Sequence, residues 1–436
     1  MRVFALTAVI VAGVAPHAAA DALPAKAVDA ADTHADFNPG RSAAGGAEWV
    51  QSIVIQSPRL RSEVKGDTRV EFHAAGMTAA RALCWQQPTA ADPDPRGHDV
   101  NLAPDLRLDA EGSGSFVFPA DDFPNGPLTV RLLARNDATK KQDVRELQLY
   151  NTGGVKWDQG IRSTDPPAAA GMKLAFADDF DGPLSISNDG KGHRYMAHKP
   201  GGGDFSGYPF TGPEGPRNPF SRAGTFLRIH ASRDPADPND KGSTGLIAPV
   251  DSDGHGFTVA APFYMECRFI AQSAPGTWPA FWAIGKNKDA AKNPKAPTDE
   301  LDVIEAYGGV GAGNPNGYGL YAATSHFWNQ TGPDGKPLKG SVPTDATIDM
   351  TRLPGRSSWS TTFHTYGLLV TRTDTAYFCD DVEVLRHPTN AVSKTAQFTF
   401  LINYAIGGIS GWKIDLAREG GASDMWVDYV RVYRGE

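Results

Sequence analysis

The chain has 436 residues, with 42 Lys and Arg against 50 Asp and Glu, a formal net charge of −8 at pH 7. That mild acidity, without a long run of Lys or Arg, argues against nucleic acid or an anionic membrane as main partner, and 40% hydrophobic with 21% charged residues excludes wholesale disorder. The 47 Gly and 33 Pro favour many short strands over long helices, while three Cys are too few for a disulfide scaffold or a Cys-rich zinc site.

The first element is an export signal. Met1-Arg2 supplies a short positive end, Val3 to Val14 is an apolar run broken only by Thr7 and Gly13, and Ala18-Ala19-Ala20 offers a small-x-small cleavage site. The run is shorter than the ~20 residues needed to span a bilayer, so it does not read as an anchor. Residues 1–20 are expected to be removed, leaving a secreted, extracellular or periplasmic protein with no membrane insertion. Residues 21–48, rich in Ala, Asp and Gly, read as a flexible tether.

From Trp49 to about Tyr150 short alternating runs lie between turn signals. Val70 and Phe72 share one face of TRVEFHAAG, and Leu128, Val130 and Leu132 share one face of LTVRLLARN, because successive side chains on a strand point to opposite sides. Asn136-Asp137 begins a turn to a returning strand around Val144 to Leu149. About 100 residues of this texture predict a small immunoglobulin-like β-sandwich over 49–151. Nothing in it reads as catalytic, and Trp85 is expected in its core. Residues 152–170, with Asp165-Pro166-Pro167 and several Ala, form a linker. Residues 171–436 keep the short-strand texture and are large enough for one big β-sandwich.

The chemistry concentrates in TDELDVIEAYGG. Glu300 and Asp302 share a strand face with Leu301, Val303 and Ile304 between the acids, but Glu305 is one residue out of phase. A β-bulge at Val303 or Ile304 absorbs the extra residue and returns Glu305 to the face of the other two. Three carboxyls packed this closely resist simultaneous ionisation. A retaining glycosidase uses such repulsion, since it needs one ionised carboxylate as nucleophile and a second kept protonated, about 5–5.5 Å apart; an inverting pair sits about 6.5–9.5 Å apart. The two Glu Cα atoms, four strand intervals apart, are separated by roughly 13 Å, and spacing alone leaves both geometries open. The competing reading is an acidic edge strand protected against aggregation.

ELDVIE resembles the bulged Glu-x-Asp-x-x-Glu signature of glycoside hydrolase family 16, and four further segments resemble that family in order. These are GTWPAFWAIG upstream, then FHTYGLLV with TAYFCDDVEV, INYAIGGISGW and the terminal DMWVDYVRVYRG. The resemblance runs from about Phe176 to Tyr433 and implies a β-jelly-roll sandwich with a sugar cleft, so the fold class expected is all-β. It implies Glu300 as nucleophile, Glu305 as general acid/base and Asp302 as the residue that holds Glu300 and tunes its charge. It also implies Trp282 beside the cleaved bond, Trp412 at the cleft margin and His326 on the strand next to the acids. Trp278 shares the strand parity of Trp282 and either extends that platform or packs. Asp428, in WVDYV, matches a structural calcium ligand of some relatives; catalysis itself is expected to need no metal or cofactor.

Three departures from the family pattern stand out. Asp380-Asp381 replaces a common Asp-Gly hairpin, Asp299 stands where Gly often precedes the first acid, and a common Trp is replaced around Val370. The function implied is a secreted, monomeric, retaining endo-glycoside hydrolase whose partner is a β-linked polysaccharide, either a β-1,3-glucan or a marine galactan such as agarose, porphyran or carrageenan. The alternatives are a non-catalytic carbohydrate-binding sandwich and a transglycosylase using the same intermediate.

Overall fold

The computed structural model describes residues 48–86, 98–154, 165–215, 217–286, 296–309, 319–332, 334–336, 344–353, 357–408 and 413–436. The expected signal peptide and nearly all of the tether lie outside them, as do Trp412 and residues 155–164 of the linker. Regular structure is almost wholly β-strand, with four one-turn 3-10 helices among the described residues. No helix there is long and apolar enough to cross a membrane.

The N-terminal part contains two sheets. Strands Ile53–Ser57, Asp67–Ala74 and Ser113–Pro119 form the smaller one. It alternates as its sequence requires, so Val70, Phe72 and Ala74 are buried while Arg69 stays outside. The larger sheet is built on the hairpin Gly126–Asn136 and Lys141–Asn151, flanked by Ala79–Gln86 and His98–Arg107. Leu128, Val130, Leu132, Leu147 and Leu149 meet the smaller sheet in one core. Trp85 is buried. The larger sheet is covered on its second face too, where Thr129 and Arg131 are buried, and Asp143 and Arg145, on the face of Leu147 and Leu149, are buried as well. Alternation does not foretell this. Buried polar groups require partners, and three of these four take them from the C-terminal part: Thr129 Oγ1 donates to the carbonyl of Ser360 at 2.9 Å, Asp143 accepts from Arg418 at 2.7 Å, and Arg145 pairs with Glu419.

The C-terminal part is a β-jelly-roll of two large sheets. One runs in the order Phe220–Ala223, Phe226–Ser232, Ala422–Arg434, Phe263–Ala271, His364–Val370, Asp374–Cys379, Val382–Pro388. Lys173–Asp178 also pairs with Ala422–Arg434. The other runs Leu246–Ile247, Gln397–Ile406, Thr277–Lys286, Thr298–Ala306, Leu320–Trp328, Thr344–Asp349. Phe263, Phe269, Phe281, Tyr366, Leu368, Phe398, Phe400 and Ile402 fill the space between them. Each such side chain, fully withdrawn from water, contributes about 1.5–3 kcal/mol, so this layer fixes the second sheet and leaves its other face available for a site. Val370 belongs to the same core.

Asp380 and Asp381 have φ of 47° and 65° and join Asp374–Cys379 to Val382–Pro388 as a two-residue turn. The primed turn that an Asp-Gly pair gives is therefore made by two Asp. The first is anchored, since Asp380 accepts from the amide of Thr365 at 2.9 Å and pairs with His364 at 2.5 Å, which holds its carboxyl below the usual range despite burial. Cys267 and Cys379 both flank Tyr366 across one sheet, and all three cysteines are buried free thiols.

Candidate active site

Strand Thr298–Ala306 carries the three acids. Its pairing with Leu320–Trp328 runs Glu300 opposite His326 and Asp302 opposite Thr324, then jumps to Glu305 opposite Ala322. Three steps on the acid strand face two on its neighbour. On the other side Trp282 pairs with Asp302 and Phe281 with Ile304, which leaves Val303 without a partner. The bulge sits where the phase mismatch placed it. Val303 and Ile304 both point into the core with Leu301 and Ala306, and Glu300, Asp302 and Glu305 leave the sheet on the opposite face.

Each outer acid is held by an indole. Trp328 Nε1 donates to Glu300 Oε2 at 3.2 Å, and Trp278 Nε1 donates to Glu305 Oε1 at 3.1 Å, joined there by the Tyr307 hydroxyl at 3.3 Å. Asp302, between them and buried, has His326 Nε2 3.3 Å from its Oδ2. Glu300, Asp302 and His326 all bring a ligand-capable atom within 4.8 Å of one another. The ring of His326 lies on Trp328 at 5.3 Å and 17°.

Electrostatics separates the two glutamates. Burial and the Glu300 charge push Glu305 up to about 7, against the two hydrogen bonds that favour its ionised form. Burial also raises Glu300, while Trp328 and the ammonium of Lys199 pull it back down. Asp302 is raised well above the carboxylate range by burial and by both glutamates. Burial lowers His326, which favours its neutral form. One outer carboxyl is thus suited to carrying a proton near neutrality and the other to being ionised.

Trp278→Phe tests this balance. It keeps the ring but removes one donor from the Glu305 carboxylate, so the Glu305 pKa rises further and the basic limb of any pH–rate profile moves to higher pH. A charged hydrogen bond of about 1.5–3 kcal/mol corresponds to a roughly tenfold or larger fall in kcat, measured by steady-state kinetics from pH 5 to 9.

Trp282 and Trp278 are both buried, in a cluster with Phe205 and Phe210. Phe205 meets Trp282 edge to face at 6.0 Å, and Trp282 Nε1 donates to Asn403 Oδ1 at 2.8 Å. The two indoles form a wall behind the acids, and Trp278 also holds one of them. Trp328, Tyr307, Asn403, Phe205 and Lys199 are the site residues to which the sequence reading gave no role. Two were within its reach: Tyr307 shares the face of Glu305 by alternation, and Trp328 shares that of His326. The others come from distant segments whose register no local pattern sets.

Asp299 leaves the acid strand on the opposite face from Glu300 and is buried rather than solvent-facing. It accepts from Asn390 Nδ2 at 2.8 Å, Ser393 Oγ at 2.6 Å and the Ser393 amide at 3.0 Å, and so pins the segment before Gln397–Ile406. Asp428 is buried on the other sheet, and Arg268 Nη1 donates to its Oδ2 at 2.7 Å. Its Oδ1 is buried without a hydrogen-bond partner among the described residues, which leaves one oxygen open to a cation.

Fold and site together define a jelly-roll protein with a carboxylate trio on the free face of one sheet. No family model matches the chain. Among curated proteins it is similar to the endo-1,3-1,4-beta-glycanase ExsH of Rhizobium meliloti, 28% identical over 221 residues, which are 50% of this chain and 40% of that protein. It is also similar to the glucan endo-1,3-beta-glucosidase A1 of Niallia circulans, 27% identical over 306 residues, 64% of this chain and 40% of that one. The chain thus spans well under half the length of these relatives. Among solved structures, an endo-beta-1,3(4)-glucanase named SCLam, from family GH16, aligns at 19% identity and a TM-score of 0.45, over 63% of this chain and 95% of its own. The sequence relatives are named as an endo-acting β-glycanase and an endo-acting glucan β-glucosidase, in agreement with the resemblance to glycoside hydrolase family 16.

Proposed function

We propose that the chain is a family 16 glycoside hydrolase that cuts a β-1,3- or mixed β-1,3-1,4-glucan internally, with retention. The observation that carries this reading is the trio on one bulged strand, with the outer two acids held by separate indoles and pushed to different proton affinities. Glu305, protonated, gives its proton to the glycosidic oxygen as the C–O bond breaks, while the Glu300 carboxylate bonds to the anomeric carbon. Ionised Glu305 then takes a proton from water, whose oxygen displaces Glu300 and restores both groups. Asp302, lying between and favouring its protonated form, limits the negative charge around Glu300. A lectin site has no use for a carboxyl held near neutrality beside two others. The choice of glucan over galactan rests on the sequence relatives, which are named for β-1,3 and β-1,3-1,4 linkages. The apolar run after Met1-Arg2 supports export, which would bring the enzyme to polymers outside the cell.

Purified protein is expected to release reducing ends from laminarin and mixed-linkage glucan, with little from agarose, porphyran or carrageenan. Proton NMR of the first product formed from laminarin should show the β-anomer before mutarotation. First appearance of the α-anomer would refute the double displacement, and release from a galactan alone would refute the substrate class.

A further inference from the structure

Residues 143–146 of the N-terminal sandwich meet the C-terminal part at a set of buried polar contacts, and these converge on the turns behind Glu305. Arg418 donates through Nη2 to Asp143 Oδ2 at 2.7 Å and to the carbonyl of Ile53 at 3.0 Å. Arg145 pairs with Glu419 and donates to the carbonyl of Arg418. Glu419 also accepts from the Gln272 side chain. Glu146 accepts from the Ser360 hydroxyl at 2.7 Å and from the amide of Ser273. Gln272 and Ser273 open the turn that leads straight into Trp278.

From that turn the contacts reach the acid directly. The amide of Gly309 donates to Ser273 Oγ at 3.0 Å, and that of Gly308 donates to the carbonyl of Thr277 at 2.9 Å. Those glycines follow Tyr307, and a side chain at Gly308 would strike Thr277 Oγ1 and the carbonyl of Ala274. Asp415 donates its amide to the carbonyl of Pro275 at 2.9 Å, and Gly407 donates to that of Gly276 at 2.6 Å. Both groups that hydrogen-bond Glu305, the Trp278 indole and the Tyr307 hydroxyl, therefore leave segments tied to the same turn, 272–277.

We propose that the N-terminal sandwich is a positioning part of the catalytic unit: through Asp143, Arg145 and Glu146 it fixes turn 272–277, and through that turn the two donors that orient Glu305. Arg418, Glu419 and Ser273 are the receiving positioning residues. The proposal rests on the hydrolase reading for its kinetic consequence but not for its structural one. Preorganisation of this kind matters because a displacement of about 1 Å at a catalytic group can cost on the order of 10²-fold in rate.

The test uses the full chain with Arg418→Ala and Glu146→Ala, and Arg418→Lys and Glu146→Gln as conservative partners. Arg418 is only partly buried, so its loss leaves the protein folded, checked by thermal unfolding. On laminarin, each Ala variant is expected to lower kcat about tenfold with KM within twofold, and to move the basic limb of kcat upward as the donors to Glu305 slacken. The conservative variants should recover most of the loss. Hydrogen exchange at residues 272–277 and 307–309 should quicken in the Ala variants. Unchanged kcat and pH limb in both, with unchanged exchange there, would overturn the proposal. If wild-type protein leaves glucans intact, the hydrolase reading has failed, and the exchange measurement alone decides whether the sandwich holds these turns.

Discussion

Glu305→Gln is expected to reduce kcat on laminarin by about 10²–10⁴-fold, the range over which positioned proton transfer accelerates reactions. The amide keeps the size of the side chain but cannot give up a proton to a glycosidic oxygen or take one from water. The basic limb should vanish with it. In the wild type that limb belongs to Glu305, pushed up to about 7: above that pH the acid is deprotonated and the rate falls, while below it the acid is competent until Glu300 itself becomes protonated. Glu300→Gln should abolish turnover more completely, since no covalent intermediate can form, and should flatten the acidic limb. Substrates with a good leaving group separate the two roles. They need no protonation, so Glu305→Gln should recover glycosyl-enzyme formation on an activated aryl glucoside, whereas Glu300→Gln should not. Equal recovery, or wild-type turnover by either variant, would refute the assignment.

Deleting Val303 and Ile304 together should be nearly as severe for activity and costlier for stability. With both gone the glutamate that was Glu305 directly follows Asp302, and two-residue alternation carries it to the core side. Deleting Val303 alone, by contrast, removes only the extra residue and leaves Glu300, Asp302 and Glu305 alternating on one face. There it meets a layer containing Phe281 and Ile402, where an unpaired carboxylate costs several kcal/mol. The expected outcome is activity below about one part in 10³, with a large fall in the urea midpoint. Val303→Ala is the control, because it keeps the bulge and loses only buried methyl groups, about 1–2 kcal/mol, with kcat within a few-fold of wild type. A folded variant lacking both residues that remained active would show that strand phase does not aim Glu305.

Much of this site was legible because its signals are local. The phase mismatch between Asp302 and Glu305 is written in six consecutive residues, and its cure by a bulge follows from strand geometry without any long-range information. His326 was legible through the resemblance, which places a His on the strand next to the acids. What was not legible depends on pairings between distant segments. Arg268 meets Asp428 from 160 positions away, an ion pair that no local pattern announces. Nothing in WPAFW tells of Phe205 lying edge to face against Trp282. The N-terminal sandwich reads as a separate unit, since alternation describes each sheet by itself. The polar residues at 143–146 fit that picture until Arg418 and Glu419 are placed against them.

The unbonded sulfurs carry a consequence of their own. Burial pushes the Cys84 thiol up to about 12 and raises those of Cys267 and Cys379 well above the ordinary range, so the thiolate that would react is scarce and sealed from reagents. Neither oxidant nor reductant is required to reach or keep this architecture. A chain built this way can be matured in a reducing cytosol or an oxidising exterior with the same outcome, and its resistance to harsh surroundings owes nothing to a disulfide.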